Sequence, residues 1–324
     1  MSKPKLLLTR RWPREVEHYL SQRYDVTLNE HDTPMDPSAL RAALPAYDAI
    51  CPTVTDKLNA EVLGAAAGGR LKVLGNYGVG VSHIDLQACR GLGVVVTNTP
   101  DVLTDATAEI AIALMLMAAR RAGEGERQIR AHRWEGWAPT RMIGAALTGK
   151  TLGLVGFGRI GQATARKAYH GFGMRILYHS RRRAPAAAEG PCGGQHCAVL
   201  EELLERSDFV SLHCPGGAEN RHLLNAARLG RMKRSAFLIN TARGEVVDEA
   251  ALAEALRTGA LAGAGLDVYE HEPRVPESFL GLENVVLLPH LGSATLETRV
   301  AMGMRVAENL DRFFAGLEPD DRVA

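Results

Sequence analysis

The stretch Thr151–Gly173, TLGLVGFGRIGQATARKAYHGFG, decides the fold. Its opening run, Thr151–Val155, is apolar and short, as expected of a strand covered on both faces. It leads directly into Gly156, Gly158 and Gly161, and then into a segment of helical spacing. Each glycine answers a steric demand: the first closes a tight turn, the second lets backbone approach a pyrophosphate, and the third lets helix pack on strand. Arg159 and Ile160 open a helix whose first N–H groups and positive dipole end suit phosphates. Glycines also serve ordinary turns, but here strand, turn, helix and a following strand at Arg175–Ser180 come in order, so the pattern predicts a dinucleotide site.

The end of that following strand bears on which dinucleotide. A carboxylate about twenty residues past the turn would read a ribose 2′-hydroxyl. RILYHS ends instead in Ser180, followed by Arg181, Arg182 and Arg183. A small hydroxyl beside guanidinium groups suits a 2′-phosphate, with no carboxylate to repel it. Ser180, Arg181 and Arg182 are therefore expected to favour NADP(H), with NAD(H) as the alternative, while Arg183 reads as part of a solvated loop.

Outward from this motif, short apolar runs alternate with amphipathic segments over nearly the whole chain, the pattern of βα units. The fold class is α/β, with two doubly wound parallel-sheet domains: a Rossmann NAD(P)-binding domain and a flavodoxin-like substrate domain. Strands are expected at Lys5–Thr9, Tyr24–Leu28, Tyr47–Cys51, Leu71–Gly75 and Val94–Thr97, then at Thr151–Gly156, Arg175–Ser180, Phe209–His213, Ala236–Asn240, Leu261–Val268 and Asn284–Leu288. TDATAEIAIALMLMAARR begins with capping candidates Thr104 and Asp105 and is then apolar all round, as expected of a helix buried between domains or subunits. The chain is expected to cross between domains near Thr99 and to return through a last helix, Ala294–Phe314. Residues 1–98 with 290–324 then form the substrate-binding domain and 99–289 the dinucleotide-binding domain.

With 324 residues and 46% hydrophobic content, two domain-sized cores are expected. A net charge of +1 gives no overall field for nucleic acid or anionic lipid, so a small ligand is the expected partner. Cys51, Cys89, Cys192, Cys197 and Cys214 are odd in number and read as reduced thiols. PCGGQHC lacks a second ligand pair for zinc and reads as a plain loop; no metal is expected. MSKPKLLLTRRW is too short an apolar run for a signal peptide, and Ile110–Ala119 falls below the ~18 residues of a membrane span. A soluble, cytoplasmic protein is expected.

Three polar elements each follow a predicted strand: TARG after AFLIN, EHEP after AGLDVY, and PHLGS after VVLL. Open α/β sheets bind ligands at strand carboxyl ends, so Arg243, Glu272 and His290 can converge there. Reduction of a 2-keto acid needs a cation for carboxylate and carbonyl, a proton donor for the developing alkoxide, and a dry site. Arg243 and His290 suit the first two roles, and Glu272 would orient His290 and favour its protonated form. Any one alone could be a surface Arg, a surface Glu or a satisfied His, as His18, His132 and His222 are read to be.

NYGVGVSHID, GRIGQATARKA, LHCP, INTARGEVVDEAAL, GLDVYEHEP and PHLGSAT, in this order and spacing over essentially the whole chain, resemble the D-isomer-specific 2-hydroxyacid dehydrogenase family. The resemblance implies that Arg243, Glu272 and His290 are catalytic and that backbone N–H groups of Val79 and Gly80 hold the substrate carboxylate. It implies a cofactor run along Thr107, His213, Cys214, Pro215, Thr241, Ala242, Asp267 and Gly292. Without it, NYGVG could be only a glycine turn. Within the family the chain looks most like glyoxylate/hydroxypyruvate reductases: RWEGWAPTRMIGAALTGKTLG resembles their dimerisation arm, in which a tryptophan matching Trp137 reaches towards a partner's active site. Trp134 and Trp137 could equally be packing residues.

The implied reaction is NAD(P)H-dependent reduction of glyoxylate and hydroxypyruvate to glycolate and D-glycerate by a homodimer. Alternatives are another D-2-hydroxy acid, such as D-lactate, phosphoglycerate or a bulkier acid, and a dinucleotide-sensing co-regulator. The short tails argue against the co-regulator, and also against phosphoglycerate dehydrogenases that carry a C-terminal regulatory domain.

Overall fold

Short apolar strands need cover on both faces, and the chain supplies it in two separate places. The computed structural model describes residues 3–324, so the first two residues of the expected 1–98 segment lie outside it. Two compact units are seen: the chain up to Leu103 together with Ala294–Ala324, and Thr104–Ser293. These limits lie a few residues beyond the expected 98/99 and 289/290. The shift has a physical cause at each end: Thr104 already belongs to a helix of the second unit, and residues 290–292 are bonded back to Asp267.

In the first unit, β1 (Lys5–Leu8), β2 (Asp25–Leu28), β3 (Ala49–Cys51), β4 (Val73–Gly75) and β5 (Val95–Thr97) pair in parallel in the order β2-β1-β3-β4-β5. This is the flavodoxin-like order. Leu6, Leu8, Ile50, Val73 and Leu74 are fully buried, which is why these runs form its centre. Asp36, Asn59 and Asp85 each cap a following helix by accepting a backbone N–H, from Ala39, Val62 and Ala88. The last helix, Leu296–Phe314, starts at the Thr295 cap and packs on β4 and on the helix Arg14–Arg23.

In the second unit, β6 (Thr151–Val155), β7 (Arg175–His179), β8 (Gln195–His196), β9 (Phe209–Leu212), β10 (Phe237–Asn240), β11 (Gly263–Leu266) and β12 (Val285–Leu287) form one parallel sheet, in the order β12-β11-β10-β9-β6-β7-β8. The order reverses beside β6, between β7 and β9, which is where a Rossmann sheet takes a dinucleotide. Since every pairing is parallel, the loops after β6, β7, β9, β10, β11 and β12 all leave the same edge.

One expectation needs correction. PCGGQHC is not a plain loop: Gln195 and His196 add a two-residue edge strand to β7, and Cys192 and Cys197 are buried beside it. Two residues among glycines show no apolar alternation, so the sequence does not reveal the strand. The apolar helix Thr104–Ala119 packs on β10, β11 and the helix Arg159–Phe172 of its own unit, while Ile110, Ile112, Leu116 and Met117 stay partly exposed. Among the described residues no helix is long and apolar enough to cross a membrane.

Candidate active site

The turn after β6 fits a dinucleotide by shape. Gly156 has φ +95°, and a Cβ there would lie 2.7 Å from backbone atoms of His213 and Cys214. A Cβ at Gly161 would strike the Gly156 carbonyl at 2.5 Å, whereas Gly158 faces open space. No side chain caps the helix that begins at Arg159, so its first turn is left for an anion. His213 forms the floor: burial depresses it to about 4, and its Nε2 bonds the buried Ser211 hydroxyl at 2.9 Å. Cys214 and Pro215 follow in the same loop, and the Thr241 hydroxyl after β10 is buried with no partner among the described residues. An orphaned hydroxyl in such a loop fits a polar ligand.

After β7 the Ser180 hydroxyl donates to the Arg182 carbonyl at 2.6 Å, which curls the loop and leaves the Arg181 and Arg182 side chains on the surface. Arg181 reaches Glu219 at 3.4 Å, and Arg183 is taken up by Glu189 at 2.9 Å. The Arg181 pair is long and its side chain 83% exposed, so Arg181 and Arg182 are the more accessible to a phosphate.

The loops after β10, β11 and β12 carry the three candidate catalytic side chains. His290 Nδ1 lies 2.8 Å from Glu272 Oε2. Burial raises the Glu272 carboxyl, but the hydrogen bond and charge of His290 outweigh it, with help from the Tyr269 N–H and Arg243, and the net direction is downward. An ionised carboxylate can only accept, so Nδ1 is the donor and Nε2 is the ring nitrogen left for chemistry. Burial lowers the Arg243 guanidinium from its usual range, while Glu272 and Glu245 pull the other way. Its Nη1 donates to the Ala242 carbonyl at 2.7 Å.

A match to the family described as D-isomer specific 2-hydroxyacid dehydrogenase, NAD binding domain, spans residues 112–292. The chain is 45% identical to a glyoxylate reductase of Thermococcus litoralis over 99% of its own length and 97% of that protein. The chain belongs to the D-isomer-specific 2-hydroxyacid dehydrogenases. It is an NAD(P)-dependent oxidoreductase. Similar solved structures include a glyoxylate reductase from Paecilomyes thermophila, with 32% identity, a TM-score of 0.87 and coverage of 100% and 99% of the two chains. Another is an NADPH-dependent glyoxylate/hydroxypyruvate reductase of Sinorhizobium meliloti in complex with NADP and malonate. It has 36% identity, a TM-score of 0.88 and coverage of 100% and 97%.

The dehydrogenase holds these loops with Asp267 and Thr107, which the sequence placed only along the cofactor, and with Asn240 and Gly244, which sequence reasoning passed over. Asp267 is buried, and its two carboxylate oxygens accept the N–H groups of Leu291 at 2.6 Å and Gly292 at 2.8 Å, while its carbonyl accepts that of His290 at 3.0 Å. These three bonds hold His290 at φ +56°, a left-handed conformation unusual for a non-glycine residue. Thr107 adds a bond to the Gly292 carbonyl at 3.1 Å. Asn240, also buried, bonds the Arg243 carbonyl and the Ala242 N–H. A Cβ on Gly244 would overlap backbone of Tyr269 and Glu270, so only glycine lets the Arg243 loop lie against the Glu272 loop.

Arg221 and His222 form a strap across the same two loops. They pair with Glu270 at 2.5 and 3.2 Å, and the His222 N–H donates to the Glu245 carbonyl at 2.8 Å. His222 is a satisfied histidine, but the groups it satisfies lie beside Arg243 and Glu272. The only sequence signal was its place in RHLLN ahead of INTARG.

In the other unit of the dehydrogenase, Val79 and Gly80 sit in the loop that follows β4, and Val79 is exposed. Trp137, in the second unit, lies in an irregular segment and is 84% exposed, with Trp134 and Ile143 also exposed nearby in sequence. Among the described residues no group of three or more His, Cys, Asp or Glu is placed to hold a metal.

Proposed function

We propose that this dehydrogenase is an NADPH-preferring reductase of glyoxylate and hydroxypyruvate, giving glycolate and D-glycerate. The observation that carries the reading is the His290–Glu272 pair, held with Arg243 at the carboxyl edge of the dinucleotide sheet. Relatives named for the same reactions support it. A bound dinucleotide supplies hydride to the keto carbon. Glu272 fixes the His290 ring through Nδ1, and His290 delivers a proton from Nε2 to the oxygen as it becomes an alkoxide. Arg243 pairs with the substrate carboxylate and polarises its carbonyl; its desolvated environment strengthens both interactions. Val79 and Gly80 are assigned the carboxylate through their N–H groups.

Gly156, Gly158, Arg159, Ile160 and Gly161 are assigned the pyrophosphate, and Ser180, Arg181 and Arg182 the 2′-phosphate, the basis for NADP(H) over NAD(H). His213, Cys214, Pro215, Thr241, Ala242, Asp267, Thr107 and Gly292 line or support the cofactor. The first unit serves as substrate-binding domain and the second as dinucleotide-binding domain. The exposed Trp134, Trp137 and Ile143 suit a homodimer arm, with Trp137 reaching towards the partner's site, and the enzyme is assigned to the cytoplasm.

Steady-state loss of reduced cofactor with glyoxylate and with hydroxypyruvate, using NADPH and NADH in turn, tests the reading. Turnover of both acids with higher kcat/KM for NADPH is expected. No turnover in any combination would overturn the reaction, and preference for NADH would overturn the cofactor assignment alone.

A further inference from the structure

In the loop Asn76–Gly80 the carbonyls of Gly78, Val79 and Gly80 are hydrogen-bonded, whereas among the described residues the N–H groups of Val79 and Gly80 are not. Asn76 is fully buried. Its Nδ2 donates to the carbonyls of Gly78 at 2.8 Å and Gly80 at 3.0 Å. The Gly78 carbonyl also accepts from the Thr99 N–H at 3.1 Å, and Asn98 Nδ2 donates to the Val79 carbonyl at 2.9 Å. Carbonyl oxygens only accept, so the Asn76 amide must present its NH2 to the loop and its Oδ1 to His83 Nε2, 3.0 Å away. The amide thus has one permitted orientation. In a planar trans peptide the N–H of each residue points opposite to the preceding carbonyl. Holding the Gly78 carbonyl therefore aims the Val79 N–H away from Asn76, and holding the Val79 carbonyl aims the Gly80 N–H away from Asn98. Among the described residues neither N–H has an acceptor. Oriented, unpaired N–H groups in succession make an anion-binding concavity.

We propose that Asn76, locked by His83, is the positioning residue of this cradle, with Asn98 as its counterpart for Gly80, and that the two amides set the enzyme's grip on the carboxylate of its 2-keto acid. The inference rests on the reading above that Val79 and Gly80 take that carboxylate. Asn76→Asp keeps size and shape but turns a carboxylate oxygen towards two carbonyls. The loop then loses its anchor, whereas the dinucleotide turn and His290 belong to the other unit and are unaltered.

The test measures KM for glyoxylate, the inhibition constant of oxalate as a carboxylate probe, kcat, and the dissociation constant of NADPH. For Asn76→Asp, KM and the oxalate constant are expected to rise together by about tenfold, with kcat changed less than about threefold and NADPH affinity unchanged. Asn98→Ala, at the exposed side of the loop, is expected to move the same two constants by about threefold; it decides the matter should Asn76→Asp fail to fold. His83→Gln, which keeps a donor for Asn76 Oδ1, should restore most of the affinity lost in His83→Ala. Folded variants with KM and oxalate binding at wild-type values would overturn the proposal, as would a parallel loss of NADPH affinity, which signals general disruption. If the wild-type enzyme reduced no 2-keto acid, the reaction would be wrong, yet calorimetric titration of oxalate into wild type and variants would still judge the cradle.

Discussion

Glu272→Gln isolates the pair to which the proposed chemistry is assigned. The side chains are close in size, but the glutamine amide is neutral and can offer either a donor or an acceptor to His290 Nδ1. A hydrogen bond to a charged group contributes about 1.5–3 kcal/mol, and a pair about one-third exposed belongs near the lower end. At 1.36 kcal/mol per decade, a loss of ~1.5–2 kcal/mol corresponds to roughly 10- to 30-fold in rate. The kcat for keto-acid reduction should therefore fall by roughly that factor. NADPH affinity should not change, since the phosphate turn lies in separate loops. A stability signature accompanies this. The Glu272 carboxyl is lowered in the folded state, so its contribution is present above the unfolded carboxylate pKa and fades as pH falls through the lower folded value. The gap in Tm between wild type and Glu272→Gln should thus be widest near neutral pH and close in acid. Stopped-flow reduction across pH, paired with calorimetric melting, reads both effects. A variant with kcat within about threefold of wild type would refute the assigned role.

Three further outcomes follow from contacts of the same unit. Gly244→Ala forces the Arg243 loop off the Tyr269–Glu270 backbone by roughly 1 Å, and kcat/KM should drop about 100-fold with cofactor binding retained; unchanged steady-state kinetics would contradict the contact. Asp267→Asn puts an amide NH2 against one of two backbone N–H groups, so His290 loses part of its anchor; kcat and Tm should both fall, with ~1–3 kcal/mol lost in denaturant unfolding. Arg181→Ala should raise KM for NADPH by about tenfold while leaving that for NADH nearly unchanged, and an equal effect on both would remove Arg181 from phosphate recognition.

The readable parts of this chain were those where one residue type answers one local demand. Gly156, Gly158 and Gly161 could be placed because the turn after a buried strand needs small residues at that spacing, and the parallel order of β6 to β12 then carried the loops with Arg243, Glu272 and His290 to one edge. The rest depended on partners distant in sequence. Asp267 reads as one acid after a strand, and nothing in GLDVYEHEP says that its oxygens meet the N–H groups of Leu291 and Gly292. Gly244 looks like a turn glycine until the Tyr269 backbone is seen against it. The composition of the greasy helix Thr104–Ala119 reports that its surface is apolar but not that β10 and β11 of its own unit cover part of it. Asn76 is a similar case: its work lies in two carbonyls of its own loop and a histidine seven residues on.

The central claim, that hydride passes from a nicotinamide to the keto carbon with D selectivity, is tested most directly by isotope transfer. Hydroxypyruvate reduced with NADPH deuterated at the transferable C4 position should give D-glycerate carrying deuterium at C2, read by mass spectrometry after chiral separation. Glycerate of the L form, or D-glycerate without deuterium at C2, would contradict it.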